Sequence, residues 1–246
     1  EVTMRKFNYG SVILLMILGG IIVGVFENIY DGNLSVIGTI IAWIANYMIC
    51  RGLLYNREGS FSEYFMGIKT ITGKVFLMNI LVGAISALGL IFSALTSLTG
   101  ADLAAAGMRG IVFISILYIL VTVFFSLIFA YSNFVMADER YRELPFFTCL
   151  KLIGKAGFKL FSETFVMGLK VFKVTIISSL VALAMIIPAK SMPEILTVSF
   201  IALIVAAIAA VIVAPNYIAR LSDIYLDNIE DIYGDMGEDI EALWVI

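Results

Sequence analysis

The side chains of this chain that could do chemistry are few, and their types narrow the options before any fold is considered. The 246 residues contain no histidine and only two cysteines, Cys50 and Cys149. Without imidazole there is no haem ligation by histidine, no common zinc site, no Ser-His-Asp triad and no Cys-His pair. An aspartyl or glutamyl enzyme working inside a membrane would need paired carboxylates within its helices, yet Glu27 and Asp138 stand only at the ends of apolar runs. The acids that follow Arg220, from Asp223 to Glu241, lack the D-x-[DN]-x-[DN]-G order of a calcium loop. The expectation is a non-enzyme with no cofactor, no metal and no catalytic residue.

What remains is a chemistry of recognition, carried by a repeated phrase. Phe61-Ser62-Glu63-Tyr64-Phe65-Met66-Gly67-Ile68-Lys69 recurs as Phe161-Ser162-Glu163-Thr164-Phe165-Val166-Met167-Gly168-Leu169-Lys170, with one residue inserted. Both copies precede an outward-going apolar run. Ser60 and Glu63 have capping-box spacing, so the first copy is expected to start a helix. Phe61, Tyr64, Phe65 and Ile68 would then share one face, while Lys69 and Lys170 reach lipid phosphates. One reading is an interfacial elbow that aims the next helix into a bilayer; the other is a docking surface. The interaction residues assigned on this basis are Phe61, Glu63, Phe65, Lys69, Phe161, Glu163, Phe165 and Lys170. A second polar set, Asn46, Asn79 and Asn133, falls inside apolar runs and is read as interhelical hydrogen bonding.

The elements that must position these residues are membrane helices. Apolar residues make up 61% of the chain and charged residues 14%, with a mean hydropathy of +1.03, far from soluble globular values. A hydrocarbon core about 30 Å thick takes roughly 20 helical residues to cross. Six apolar runs are read as helices: 11–28, 34–53, 75–98, 110–137, 174–187 and 195–217; all but the fifth, of 14 residues, approach or exceed that length. They are longer than barrel strands and apolar on every face, so the fold expected is an all-α polytopic transmembrane helix bundle of about six spans. Arg5 and Lys6 precede the first run, but no small-residue cleavage site follows it, so it is read as a retained anchor. Gly20 and Gly24 within it form a G-x-x-x-G pair suited to close helix approach, more readily inside the chain than between copies.

Cation placement sets the expected orientation. Of 16 Lys and Arg, 14 fall at the termini or on alternate connections, leaving Arg109 and Lys190 on the other side. Because Lys and Arg are retained on the cytoplasmic side, both termini are expected there, with short outer connections near Asp31, Asp102 and Pro193. Cys50 and Cys149 then lie on the inner side, where a structural disulfide is not expected. The division expected is a six-helix transmembrane domain, 1–219, and an acidic amphipathic cytoplasmic tail, 220–246.

The longest inner connection, from Asp138 to Lys173, carries seven cations against four anions. Phe146, Phe147, Leu150, Ile153, Phe158 and Phe161 alternate there with Lys151, Lys155 and Lys159, as in an amphipathic helix on anionic lipid. Gly154 and Gly157 are expected to bend or divide that helix. The tail reverses sign but keeps an apolar stripe, Leu221, Tyr225, Ile229, Ile232 and Met236. Its nearest oppositely charged surface is the basic connection of its own chain. The cations follow topology and the net charge is −3, so nucleic acid is not an expected partner.

The stretch ending in Tyr131-Ser132-Asn133-Phe134-Val135-Met136-Ala137-Asp138, followed by Leu144-Pro145-Phe146-Phe147 and Gly157-Phe158-Lys159-Leu160-Phe161, resembles small membrane proteins of Gram-positive bacteria of the YesL-like type. The resemblance covers about the central half of the chain. It implies a multi-pass protein of the bacterial plasma membrane serving an ABC transporter, with no catalytic residues to carry over. The function expected is a transport component or accessory subunit of a transporter. Its alternative is a non-transport interaction protein: a scaffold, an envelope-stress component or an immunity protein against a membrane-active peptide. The partners that fit are the lipid bilayer, a cytoplasmic ATPase or another membrane subunit, and a second copy of the chain. The usual importer coupling loop E-A-A-x-x-x-G is replaced by Cys149-Leu150-Lys151-Leu152-Ile153-Gly154, which argues against a standard importer permease.

Overall fold

The computed structural model describes residues 5–28, 35–98, 120–186 and 194–244, and the described residues are all-helical with no strand. The three outer connections expected near Asp31, Asp102 and Pro193, and with them Arg109 and Lys190, lie outside the described residues. In chain order the helices are α1 (Tyr9–Asn28), α2 (Ser35–Tyr55), α3 (Phe61–Phe65, continued by a 3-10 turn Met66–Thr70) and α4 (Gly73–Leu98). Then come α5 (described over 120–128), α6 (Ser132–Ala137), α7 (Glu139–Arg142), α8 (Phe146–Lys159), α9 (Phe161–Val171), α10 (Lys173–Ile186) and α11 (Glu194–Trp244).

Among the described residues, four stretches are long and apolar enough to cross a membrane: Tyr9–Phe26, Val36–Tyr55, Leu120–Ala137 and Thr197–Met236. The number rises to 6 if two bent pairs each count as one span, namely Phe61–Thr70 with Gly73–Ile85 and Phe161–Val171 with Lys173–Ala182. Ile21, Leu120, Ile177 and Phe200 on these stretches are each more than half exposed. In water such faces would aggregate; against lipid tails they cost nothing, and the helices satisfy their own backbone polar groups. The chain has the build of a membrane protein.

The chain divides into two compact units. Unit 1 comprises Glu1–Lys69 and Ser162–Asp227. Within it α1 lies along α2, and a Cβ on Gly19 would stand 3.2 Å from that of Ala45. Gly20 and Gly24, the expected approach pair, would meet nothing within 4 Å. The rotation of α1 about its axis decides which glycine faces the partner, and one residue is about 100° of rotation. Val12, Leu15, Met48, Ile49, Leu53 and Tyr64 form the core at the polar end of this pair. Gly52 is indispensable there, since a Cβ would fall 2.2 Å from the Tyr64 ring. The first stretch of α11 also belongs to this unit. Pro215 lies inside it and leaves one carbonyl without its helical donor, while the Tyr9 hydroxyl donates to the neighbouring carbonyl of Ile212 at 2.7 Å.

Unit 2 comprises Thr70–Phe161 and Asn228–Ile246. The apolar run expected as one helix to Ala137 is interrupted here by a turn at 129–131, where Ala130 and Ser132 donate three residues back, to Leu127 and Phe129. Every residue of the following α6 is buried. Contrary to expectation, α8 runs unbroken through Gly154 and Gly157. Gly157 serves close packing: a Cβ there would lie 2.0 Å from the Ile128 carbonyl oxygen. The face α8 buries is Cys149, Leu152, Ile153 and Ala156, at helical spacing, whereas Phe147 and Phe158 point outward at 78% and 64% exposure.

The tail expected at 220–246 is a continuation of α11 rather than a new helix. All five residues of its apolar stripe, Leu221, Tyr225, Ile229, Ile232 and Met236, are buried.

Candidate functional site

The two copies of the repeated phrase form the two elbow helices α3 and α9, and all their residues but Phe161 belong to unit 1. Ser60 starts α3 in extended conformation, and its backbone N–H donates to Glu63 Oε2 at 2.6 Å while its hydroxyl donates to the same oxygen at 3.0 Å. Glu63 is thus occupied in capping the start of its own helix, as the spacing implied. The burial order is the same in both copies: Phe61 and Phe161 half-buried, Glu63 and Glu163 exposed, Tyr64 and Thr164 fully buried, Phe65 and Phe165 exposed. Phe61 and Tyr64 do face the core, but Phe65 and Ile68 are 47% and 40% exposed. The shared face expected for all four is thereby corrected: Phe65 stands about 100° round from the buried Tyr64, and the switch to 3-10 winding at Met66 turns Ile68 outward with it and puts Gly67 against Met48.

That winding also absorbs the inserted residue of the second copy. Four α steps and four 3-10 steps carry Lys69 about 160° round from Phe61. Nine α steps carry Lys170 about 180° round from Phe161. Both lysines are exposed, on matching sides of their helices.

Beside the first elbow, unit 1 holds a buried charge knot that no local spacing marked. Arg57 Nη2 donates to Asp223 Oδ1 at 2.6 Å and to the Ala219 carbonyl at 3.1 Å. Its Nη1 reaches Ser222 Oγ at 3.0 Å and the Leu53 carbonyl at 3.5 Å, and its Nε reaches the Lys6 carbonyl at 3.1 Å. All five guanidinium N–H groups are therefore used. The side chain of Arg57 is 14% exposed and that of Asp223 only 2%. Burial pulls the pKa of Arg57 below its ordinary value, opposed by the attraction of Asp223, and the group stays charged. Arg5 closes the knot from outside, pairing with Asp227 and approaching Asp223 at 3.9 Å. The Arg57 carbonyl receives the Tyr64 hydroxyl at 2.9 Å, tying the knot to α3.

Unit 2 places the polar residues of its spans together. Asn79 and Asn133, each 6% exposed, meet with Asn79 Nδ2 donating to Asn133 Oδ1 at 3.2 Å and to the Val75 carbonyl at 2.9 Å. Asn46 is in unit 1, exposed, and its Oδ1 lies 3.9 Å from Cys50 Sγ. In the same unit as the asparagine pair, Asp138 caps α7 and binds Arg140, whose guanidinium also pairs with Glu230. Lys159 pairs with Asp235 at 2.7 Å, and the Tyr141 and Tyr233 rings stand 5.0 Å apart. The acidic end of α11 thus lies on the basic connection of its own chain, as charge complementarity implied.

Both cysteines are buried and free. Burial pushes the Cys149 thiol above its ordinary pKa, with Lys74 pulling weakly the other way. Among the described residues no group of three or more Cys, Asp or Glu could hold a metal ion. No protein family matches this chain, and neither a curated protein nor a solved structure does.

Proposed function

We propose that this chain is a multi-pass protein of the bacterial plasma membrane, with six crossings and both termini cytoplasmic, and that it acts as a membrane subunit of a transport assembly driven by a cytoplasmic ATPase. The observation that carries this reading is the pair of like elbows. Each offers an exposed phenylalanine and a lysine, Phe65 with Lys69 and Phe165 with Lys170, on a short helix ahead of an apolar one. An amphipathic helix that lays such a face into a groove is a common mode of protein docking. Two equivalent faces suit a partner that is itself two-fold, as paired ATPase subunits are. The likeness of the central segment to YesL-like proteins points the same way. The exposed side chains of the elbows offer binding and orientation, and the role proposed for them is non-enzymatic.

The test is purification from the source membrane in native nanodiscs, followed by mass spectrometry of what stays bound and photo-crosslinking from Met66 and Val166. A stoichiometric ATPase crosslinked at both positions is the expected result. A chain that purifies alone, or only with itself, refutes the transport reading and returns the scaffold or immunity alternative.

A further inference from the structure

Where the C-terminal end of α9 meets α11 in unit 1, two clefts of about 230 and 320 Å³ share two cations, Lys170 and Arg220. Val213, Asn216 and Arg220 lie at i, i+3 and i+7 on α11 and so line one face. Lys170 and Val171 form the opposite wall of the larger cleft. The walls are held by Tyr217, whose ring is 5.1 Å from that of Phe172 and 3.7 Å from where a Cβ on Gly168 would stand. Lys170 and Arg220 are exposed, and among the described residues neither these cations nor the Asn216 side-chain amide has a hydrogen-bond or ion-pair partner. The smaller cleft contains Glu163 and Asp223, but Asp223 is already paired with Arg57 at 2.6 Å. The larger one has two cations, an amide and two valines, and no carboxylate.

Depth identifies the ligand class. Arg220 is the first charge after 25 uncharged residues, Ile195 to Ala219, and Lys170 and Lys173 are the last before the uncharged stretch Val174 to Ile186. A helix of 25 residues is about 37 Å long, enough to cross the hydrocarbon and end among headgroups. Both cations therefore stand where lipid phosphates lie. We propose that the cleft between Lys170 and Arg220 binds the phosphate of an anionic phospholipid, with Asn216 donating to a headgroup oxygen and an acyl chain lying along Val171 and Val213. The site shares Lys170 with the proposed docking face, but the lipid reading does not rest on the transport reading.

The experiment is titration of the full chain in neutral detergent with phosphatidylglycerol or phosphatidylcholine, read by native mass spectrometry as lipids retained. One phosphatidylglycerol should be held in preference to phosphatidylcholine. Each of Lys170→Gln and Arg220→Gln should weaken that preference about fivefold, and the double variant about thirtyfold, as expected for about one unit of interfacial cation each. Among the described residues neither has a partner to lose, so unchanged helix content and melting should accompany the loss. Lys151→Gln, on α8 and in unit 2, should leave the preference intact. Val213→Trp fills the apolar wall: loss of phosphatidylglycerol with it supports the lipid. Displacement of the lipid by millimolar inorganic phosphate or by a phosphoserine peptide, undiminished in Val213→Trp, would reassign the site to a soluble anion and overturn the proposal. Equal retention of both lipids by the unaltered chain would also overturn it.

Discussion

Replacing Arg57 by alanine should destabilise the protein by about 3 kcal/mol, and the reason lies in what the guanidinium leaves behind. Asp223, with 2% of its side chain exposed, would keep only Arg5, whose backbone N–H is 3.4 Å away and whose guanidinium is 3.9 Å away. The carbonyls of Lys6 and Ala219 would each lose a donor from that residue. Removing one partner of a buried ion pair typically costs 3–5 kcal/mol, and the surviving Arg5 contacts set the value at the low end. Much of that cost is the stranded carboxylate, so the pair is best isolated by a cycle of Arg57→Ala, Asp223→Ala and the double variant. The coupling should be about 2 kcal/mol, measured by reversible unfolding in mixed micelles with circular dichroism as the readout. The pair Arg5–Asp227 is the internal control: its side chains are 46% and 38% exposed, and its coupling should stay below about 1 kcal/mol. A coupling at Arg57–Asp223 no larger than about 0.5 kcal/mol would refute the reasoning, because it would mean the knot is solvated.

Three further outcomes can be checked with the same preparations. Gly157→Ala should destabilise by about 3 kcal/mol or force α8 away from residue 128, because its Cβ would lie 2.0 Å from a backbone oxygen; Gly154→Ala, with nothing within 4 Å, should stabilise by about 0.5–1 kcal/mol. Asn79→Leu should cost about 1 kcal/mol by removing the donor to Asn133, and unchanged melting would mean that the amide pair contributes no net stability. Cys149 should alkylate much more slowly than a free thiol at pH 7, since burial raises its pKa and so lowers its thiolate fraction; its rate should climb only above the ordinary thiol range, and labelling at the rate of the unfolded chain would contradict the buried environment.

The sequence by itself determined the solvent, the helical class and several local devices of this protein. Hydropathy over some 20 residues reports transfer into lipid, and only helices of that length satisfy their backbone there. The Ser60–Glu63 cap was legible because it closes within one turn, and the stripe from Leu221 to Met236 because a single helix repeats it at fixed spacing. The meeting of the acidic end of α11 with Arg140 and Lys159 followed from complementary charge. The tertiary structure alone decided which face each helix buries. Gly19 in place of Gly20 and Gly24, Cys149 and Leu152 in place of Phe147 and Phe158, and the turn at 129–131 all depend on rotation and crossing, which neighbours fix. The Arg57–Asp223 knot was invisible for the same reason: its members are 166 residues apart, and nothing short of the packed chain brings a buried carboxylate to the one arginine whose five donors it helps to satisfy.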